Sequence, residues 1–238
     1  MKILGLDSSG LVASVAIVED NTLLAEYTTN YKKTHSQTLL PMLAQLKEMI
    51  ELDLESIDAI AIAAGPGSFT GLRIGAATAK GLGLALDKPL VEVPTLEGLA
   101  YNLYGTDRLI CPLMDARRNQ VYTGAYEFVP KGQDYQLHTL IEQCAIDVTE
   151  MLEKINAYGR PVIFLGDGVP VYKDVVKKAA KVPFAFAPAH NNCQRAASVA
   201  ALGAVYFAEG RTVSAAMHQP EYLRKSQAER EREALSTD

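Results

Sequence analysis

Apolar and polar positions along this chain of 238 residues fall into short runs that come back in the same order. Residues 2–6 are apolar and end at Asp7, with Ser8-Ser9-Gly10 as a turn. Residues 11–18 make a second apolar run, Asp20-Asn21 a hairpin turn, and residues 22–29 a third strand. The spacing then predicts a helix over 34–51, a buried strand over 57–64, a second helix over 69–86 and a further strand over 90–93.

The second half repeats that order. Residues 109–114 are apolar and end at Asp115, followed by the turn Ala116-Arg117-Arg118-Asn119. Strands are predicted over 121–129 and 135–140, a helix over 147–156, and a strand over 162–165. The turn after it, Gly166-Asp167-Gly168, echoes Gly65-Pro66-Gly67. A β-β-β-α-β-α order written twice predicts an α/β fold of two similar lobes produced by duplication. The segment 95–106 carries one helix and joins the halves, which sets the expected lobes at 1–105 and 106–238. From Thr212 onward the character changes: Pro220-Glu221-Tyr222-Leu223-Arg224-Lys225 leads into alternating charge, which reads as an exposed tail.

Composition narrows the function classes. A hydrophobic fraction of 48% supplies a packed core, and 21% charged residues is ordinary for a globular chain. With 23 Lys and Arg against 28 Asp and Glu, the net charge is −5, which argues against a stand-alone nucleic-acid groove. It leaves room for work on RNA inside a complex. Cys111, Cys144 and Cys193 are widely spaced and odd in number, so neither a disulfide framework nor a zinc ribbon is expected. Asp7 stands where a signal peptide would need its apolar core, and no uncharged apolar run is long enough to span a bilayer. A cytoplasmic chain with no membrane partner is the expectation.

The candidate chemistry centres on Gly65-Pro66-Gly67-Ser68-Phe69-Thr70-Gly71-Leu72-Arg73-Ile74-Gly75, where a strand turns into a helix. Glycines at a helix start let either a phosphate or another piece of chain approach the backbone closely. The stretch lacks the Gly-Lys-Ser/Thr ending of a Walker loop, and Thr70 stands where Gly-x-Gly-x-x-Gly needs its third glycine. In the helix itself Gly71, Gly75, Ala79 and Gly83 recur every four residues and line one face. Each internal glycine costs about 1 kcal/mol relative to alanine, so a close contact must offset it, within the fold or with another subunit. The first long helix carries Leu39, Leu40, Met42, Leu43 and Leu46, more apolar surface than one buried stripe requires. Together the two helices suit a four-helix seam with a similar pair from a related subunit.

A duplicated unit with an aspartate in its first hairpin resembles the actin, hexokinase and Hsp70 ATPase superfamily. Three motifs narrow the match: Ile3-Leu4-Gly5-Leu6-Asp7-Ser8-Ser9, Thr34-His35-Ser36-Gln37-Thr38-Leu39-Leu40-Pro41 and the glycine-rich stretch 65–73. With Pro220-Glu221-Tyr222-Leu223-Arg224-Lys225 and Ala228-Glu229-Arg230, they resemble the TsaB (YeaZ) family of tRNA N6-threonylcarbamoyladenosine synthesis. The resemblance implies a subunit without its own catalytic residues, bound as a heterodimer to the catalytic paralogue TsaD and joined by the ATPase TsaE. It implies contact with tRNA through the complex and no cofactor in the isolated chain, with the complex as the level at which ATP or ADP could act; the helix pair offers a homodimer as the alternative when the chain is free. The partner interface would be Leu39, Leu40, Met42, Leu43, Leu46, Gly71, Arg73, Gly75, Ala79 and Gly83.

Two rival chemistries can be weighed on the residues. A metal-binding paralogue needs two histidines at i and i+4 on the first long helix, but the residue four beyond His35 is Leu39. No metal site is therefore expected, which counts against a metallopeptidase. An active small-molecule kinase or acyl-phosphate enzyme would draw on Asp7, Ser8, Ser9, Asp115, Gly166 and Gly168 as its nucleotide site. The second hairpin, with two arginines and no glycine, makes a tight phosphate clamp hard to build, so these six residues are expected to be a vestige. The alternative for both aspartates is that they end strands and bond turn amides.

Overall fold

The computed structural model describes residues 1–31 and 34–224. Ten strands form two five-stranded sheets of the same design. The first contains β1 (Lys2–Asp7), β2 (Ala13–Glu19), β3 (Thr22–Thr29), β4 (Ala59–Gly65) and β5 (Leu90–Pro94), in the order β3-β2-β1-β4-β5. The second contains β6 (Leu109–Asp115), β7 (Gln120–Lys131), β8 (Asp134–Asp147), β9 (Val162–Leu165) and β10 (Phe184–Phe186), in the order β10-β9-β6-β7-β8. In each, the first strand runs antiparallel to the second and parallel to the fourth. The duplication predicted from the pattern is therefore present; each copy ends in a fifth strand, expected at 90–93 in the first and unforeseen at Phe184–Phe186 in the second.

Helices cover the sheets: α1 (His35–Met49), α2 (Phe69–Ala85), α3 (Thr95–Ala100), α4 (Val148–Ala157), α5 (Val169–Ala179) and α6 (Ala196–Ala208). The middle strands β1 and β4 are buried along nearly their whole length, because helices lie on both faces of the first sheet. On one face Leu4, Leu6, Val15, Ile17, Ile60 and Ile62 meet Leu39, Met42, Leu43 and Leu46 of α1 and Ala79 of α2. On the other, Ile3, Ala61, Ala63, Val91 and Val93 meet Val199, Ala200 and Leu202 of α6. The second sheet is built likewise, with α4 and α5 on one face and Leu96 and Leu99 of α3 on the other.

The last helix of each half thus packs on the opposite half. A division at 105 and 106 separates the two sets of strands but leaves α3 on the second sheet and α6 on the first. Polar contacts fix that exchange. Arg195 pairs with Glu26 of β3, Ala196 N–H donates to Ser14 Oγ at 2.9 Å, and Ala197 N–H donates to Glu26 at 3.1 Å. Asn102 donates to the carbonyl of Cys193 at 2.8 Å. Among the described residues, no helix is long and apolar enough to cross a membrane.

Candidate functional site

The turn after β1 and the glycine-rich start of α2 face each other, and their polar groups are spent on one another. Ser9 donates through its N–H and its Oγ to Asp7 Oδ1, at 2.9 and 2.7 Å. Ser68 N–H donates to the carbonyl of Ser9 at 2.7 Å, while Ser68 Oγ caps the helix by accepting from Gly71 N–H. Ser8 Oγ donates to the carbonyl of Gly71 at 2.9 Å, and Gly65 N–H donates to Thr95 Oγ1. At this helix start the amides of Ser68 and Gly71 therefore already have partners within the chain.

The equivalent turns of the second lobe are closed in the same way. Gly166 N–H donates to the carbonyl of Asn192 and Gly168 N–H to that of Leu113, at 2.7 and 2.9 Å. Asp115 accepts from Arg117 N–H at 2.8 Å and from the Tyr172 hydroxyl at 3.0 Å. Arg117, Arg118 and Asn119 follow with φ of 62°, 57° and 60°, three left-handed residues in a row without a glycine. Such conformations cost an L-residue roughly 1–2 kcal/mol each. Both aspartates end strands and accept from turn amides, Asp7 from Ser9 N–H and Asp115 from Arg117 N–H.

Across the lobe boundary the electrostatics add to this. Asp7 is buried, and desolvation pushes its carboxyl up to about 6 against the opposing Ser9 hydrogen bonds. Burial, helped by the nearby Asp115 charge, likewise pushes Asp167 up to about 6 against the backbone hydrogen bonds that it accepts. Next to Asp7, His35 Nε2 lies 2.8 Å from the carbonyl of Gly10, while Nδ1 is buried without a protein partner. Gln194 is 1% exposed with both amide atoms unpartnered. Among the described residues, no three His, Cys, Asp or Glu side chains gather into a metal-binding group.

The small-residue stripe on α2 answers to contacts inside the chain. A Cβ on Gly71 would stand 2.1 Å from the carbonyl of Ser8, and one on Gly75 2.5 Å from Ser8 Oγ. Ala79 is fully buried, and Gly83 lies against Ala215 and the carbonyl of Lys88. Leu39, Met42, Leu43 and Leu46 are core residues with 1–4% exposure. These eight positions are thus corrected from a partner surface to the packing of α1 and α2 on their own sheet and turn. Leu40 and Arg73 remain outside, joined by Met49 at 84% and Leu84 at 64% exposure. Gly81, on the outer side of α2, has open space where a side chain would go.

The expectation of an exposed tail from Thr212 is also corrected, as far as Arg224. Val213 pairs with Leu90, and the buried His218 meets Glu92 Oε1 through Nδ1 at 2.6 Å. Lys80 donates to the carbonyl of His218, and Glu221 N–H to that of Ala64. The Tyr222 ring lies 4.6 Å from that of Phe69, and Arg224 donates to the carbonyl of Ala116 at 2.6 Å. This strap ties the first sheet to the β6–β7 turn, crossing directly over Gly65. The motif Ala228-Glu229-Arg230 and its charged surroundings lie outside the described residues. Sequence reasoning missed Gln194 and His218 as buried groups, since neither stands in a periodic run.

Comparison with known proteins agrees with this architecture. The family model for TsaD, tRNA N6-adenosine threonylcarbamoyltransferase, matches residues 22–232. The tRNA threonylcarbamoyladenosine biosynthesis protein TsaB of Bacillus subtilis is 33% identical over 96% of both chains. The protein of that name from Escherichia coli is 28% identical, again over 96% of both. The solved structure of YeaZ from Pseudomonas aeruginosa superposes with a TM-score of 0.78 at 28% identity, covering 93% of this chain and 99% of that one.

Proposed function

The chain belongs to the TsaB family of tRNA threonylcarbamoyladenosine biosynthesis proteins, and from that premise we propose that it is the non-catalytic subunit that binds and activates TsaD. The observation that carries this reading is the closed state of its nucleotide-site turns. Ser9, Ser68, Gly71, Gly166 and Gly168 direct their amides to partners within the chain, so these five donors are not free for a nucleotide's β- and γ-phosphates. An enzyme of phosphoryl or acyl-phosphate chemistry needs those donors free.

The partner surface is the outward side of the α1–α2 pair, which exposes Leu40 and Met49 on α1 and Gly81 and Leu84 on α2. Exposed apolar side chains on two neighbouring helices favour burial against a similar pair. TsaD is the occupant of that surface in the working complex, with TsaE joining the pair, and a second copy of this chain takes its place when the chain is alone. The complex works on tRNA in the cytoplasm, and any ATP or ADP acts at the level of the complex.

Mixing the purified chain with its TsaD counterpart and measuring mass in solution tests the pairing, with a one-to-one species expected. Calorimetric titration of the isolated chain with Mg-ATP should release no heat of binding. A chain that stays unpaired with TsaD, or that binds Mg-ATP tightly by itself, would overturn the reading.

A further inference from the structure

Outside the closed turns lies a continuous track of arginines and aromatic rings. The Arg73 guanidinium sits 4.0 Å over the centre of the Phe69 ring, and Phe69 packs 4.6 Å from Tyr222. Two residues on, Arg224 holds the carbonyl of Ala116, which opens the turn that presents Arg117 and Arg118. Arg73, Arg117 and Arg118 are exposed, Arg224 is half-buried and Tyr222 is 39% exposed. Among the described residues none of the four guanidiniums is paired with a carboxylate, unlike Arg160, Arg195 and Arg211. Two carboxylates lie beside the four cations and are held by neutral donors, Glu221 by Gln143 and Asp115 by Arg117 N–H and the Tyr172 hydroxyl, which leaves the cations in excess.

We propose that Arg73, Arg117, Arg118 and Arg224, with the Phe69–Tyr222 ring pair between them, form a direct contact surface for the sugar-phosphate backbone of RNA. Four cations on a chain of net charge −5 mark a local site for an anion rather than a general attraction. Rings interleaved with guanidiniums offer stacking faces for bases beside charges for phosphates, a pairing suited to RNA more than to an acidic protein. The left-handed run at 117–119 holds two arginines on one short turn at the cost of backbone strain, a pattern associated with function. The inference rests on the reading of this chain as a tRNA-modification subunit and extends it, since tRNA would then be touched by this chain itself.

The test is tRNA binding by fluorescence anisotropy over a salt series, with the chain alone and with the chain paired with TsaD. The variant is Arg117→Asn with Arg118→Asn, because asparagine tolerates the left-handed region and keeps the turn foldable. Arg108→Asn, an exposed arginine elsewhere, serves as control. The double variant should lower affinity roughly tenfold and reduce the slope of log K against log salt by about 1.4–1.8, as two lost phosphate contacts require. The charge-keeping pair Arg117→Lys with Arg118→Lys should retain the slope. Pairing with TsaD, followed separately by mass, should be unaffected, so failure of the heterodimer remains distinguishable from failure of this inference. Unchanged tRNA affinity and slope in both preparations would overturn it. So would loss of TsaD pairing with tRNA binding intact, which would make the track a protein-docking surface.

Discussion

The carbonyl oxygen of Glu221 stands 2.2 Å from the point that a Cβ on Gly65 would occupy. That distance admits no side chain, and Gly65 also has φ of +125°, where side chains are rarely accommodated. The glycine-rich motif is therefore shaped by the chain's own strap and by the turn at Ser9, with close backbone approach as the common reason.

Gly65→Ala should accordingly cost about 2–5 kcal/mol, combining overpacking with backbone strain. Gly132→Ala is the matched control, since Gly132 has φ of +66° but nothing within 4 Å of an added Cβ. It should lose only about 1 kcal/mol. Thermal melts of both variants decide the matter, and equal losses would mean that the strap does not press on Gly65.

Much of this was legible in the sequence, and the misses have physical causes. The paired β-β-β-α-β-α order stood out because apolar runs are bounded by Asp, Ser and Gly turns at matched places. Strand β8 extends to Asp147, past the predicted 135–140, because an edge strand with a polar face carries a weak apolar pattern. The exchange of α3 and α6 between sheets leaves no local trace, since any sheet face accepts an apolar helix. Residues 212–224 read as a tail because their docking depends on backbone hydrogen bonds and single anchors such as His218 rather than on a hydrophobic run. The glycine stripe was seen at once, yet periodicity alone could not say which backbone it met.

Acid should stabilise this fold through Asp7. Its carboxyl rises from the ordinary 3.8 to about 6, so between those values the folded chain binds more protons than the unfolded one. Stability then falls as pH rises through that window and is lowest, for this group, above about 6. The gap corresponds to roughly 3 kcal/mol as an upper figure. Asp7→Asn can still accept from Ser9, so it should raise the melting temperature at pH 7 and change it little near pH 4. A variant equally destabilised at both values would show that the charge of Asp7 is compensated in the folded chain.

The three thiols should separate by reactivity. Cys111 is fully buried and its thiol is pushed up to about 12 by desolvation, despite the Thr123 hydrogen bond that opposes it. Cys144 and Cys193 are half-buried, and burial raises both. A thiol reagent at pH 8 should modify Cys144 and Cys193 slowly and Cys111 only after unfolding. Mass mapping that finds Cys111 labelled first in the native chain would contradict the core placement of β6.

Two glycines on one helix separate folding from association. A leucine at Gly75 must displace Ser8, whose Oγ lies 2.5 Å from the Cβ position. Overpacking of this kind costs about 1–3 kcal/mol, so Gly75→Leu should lower the melting temperature of the isolated chain. Gly81 faces open space, and a leucine there gains helix propensity of up to about 1 kcal/mol while leaving the fold intact. On the proposed partner face, however, that leucine would hold the facing backbone away, and the same 1–3 kcal/mol becomes roughly a five- to hundredfold loss of affinity for TsaD. Melting curves and heterodimer titrations on both variants make a two-by-two comparison. Gly81→Leu binding TsaD as tightly as the unaltered chain would remove the outer face of α2 from the interface, whatever Gly75→Leu does to the fold.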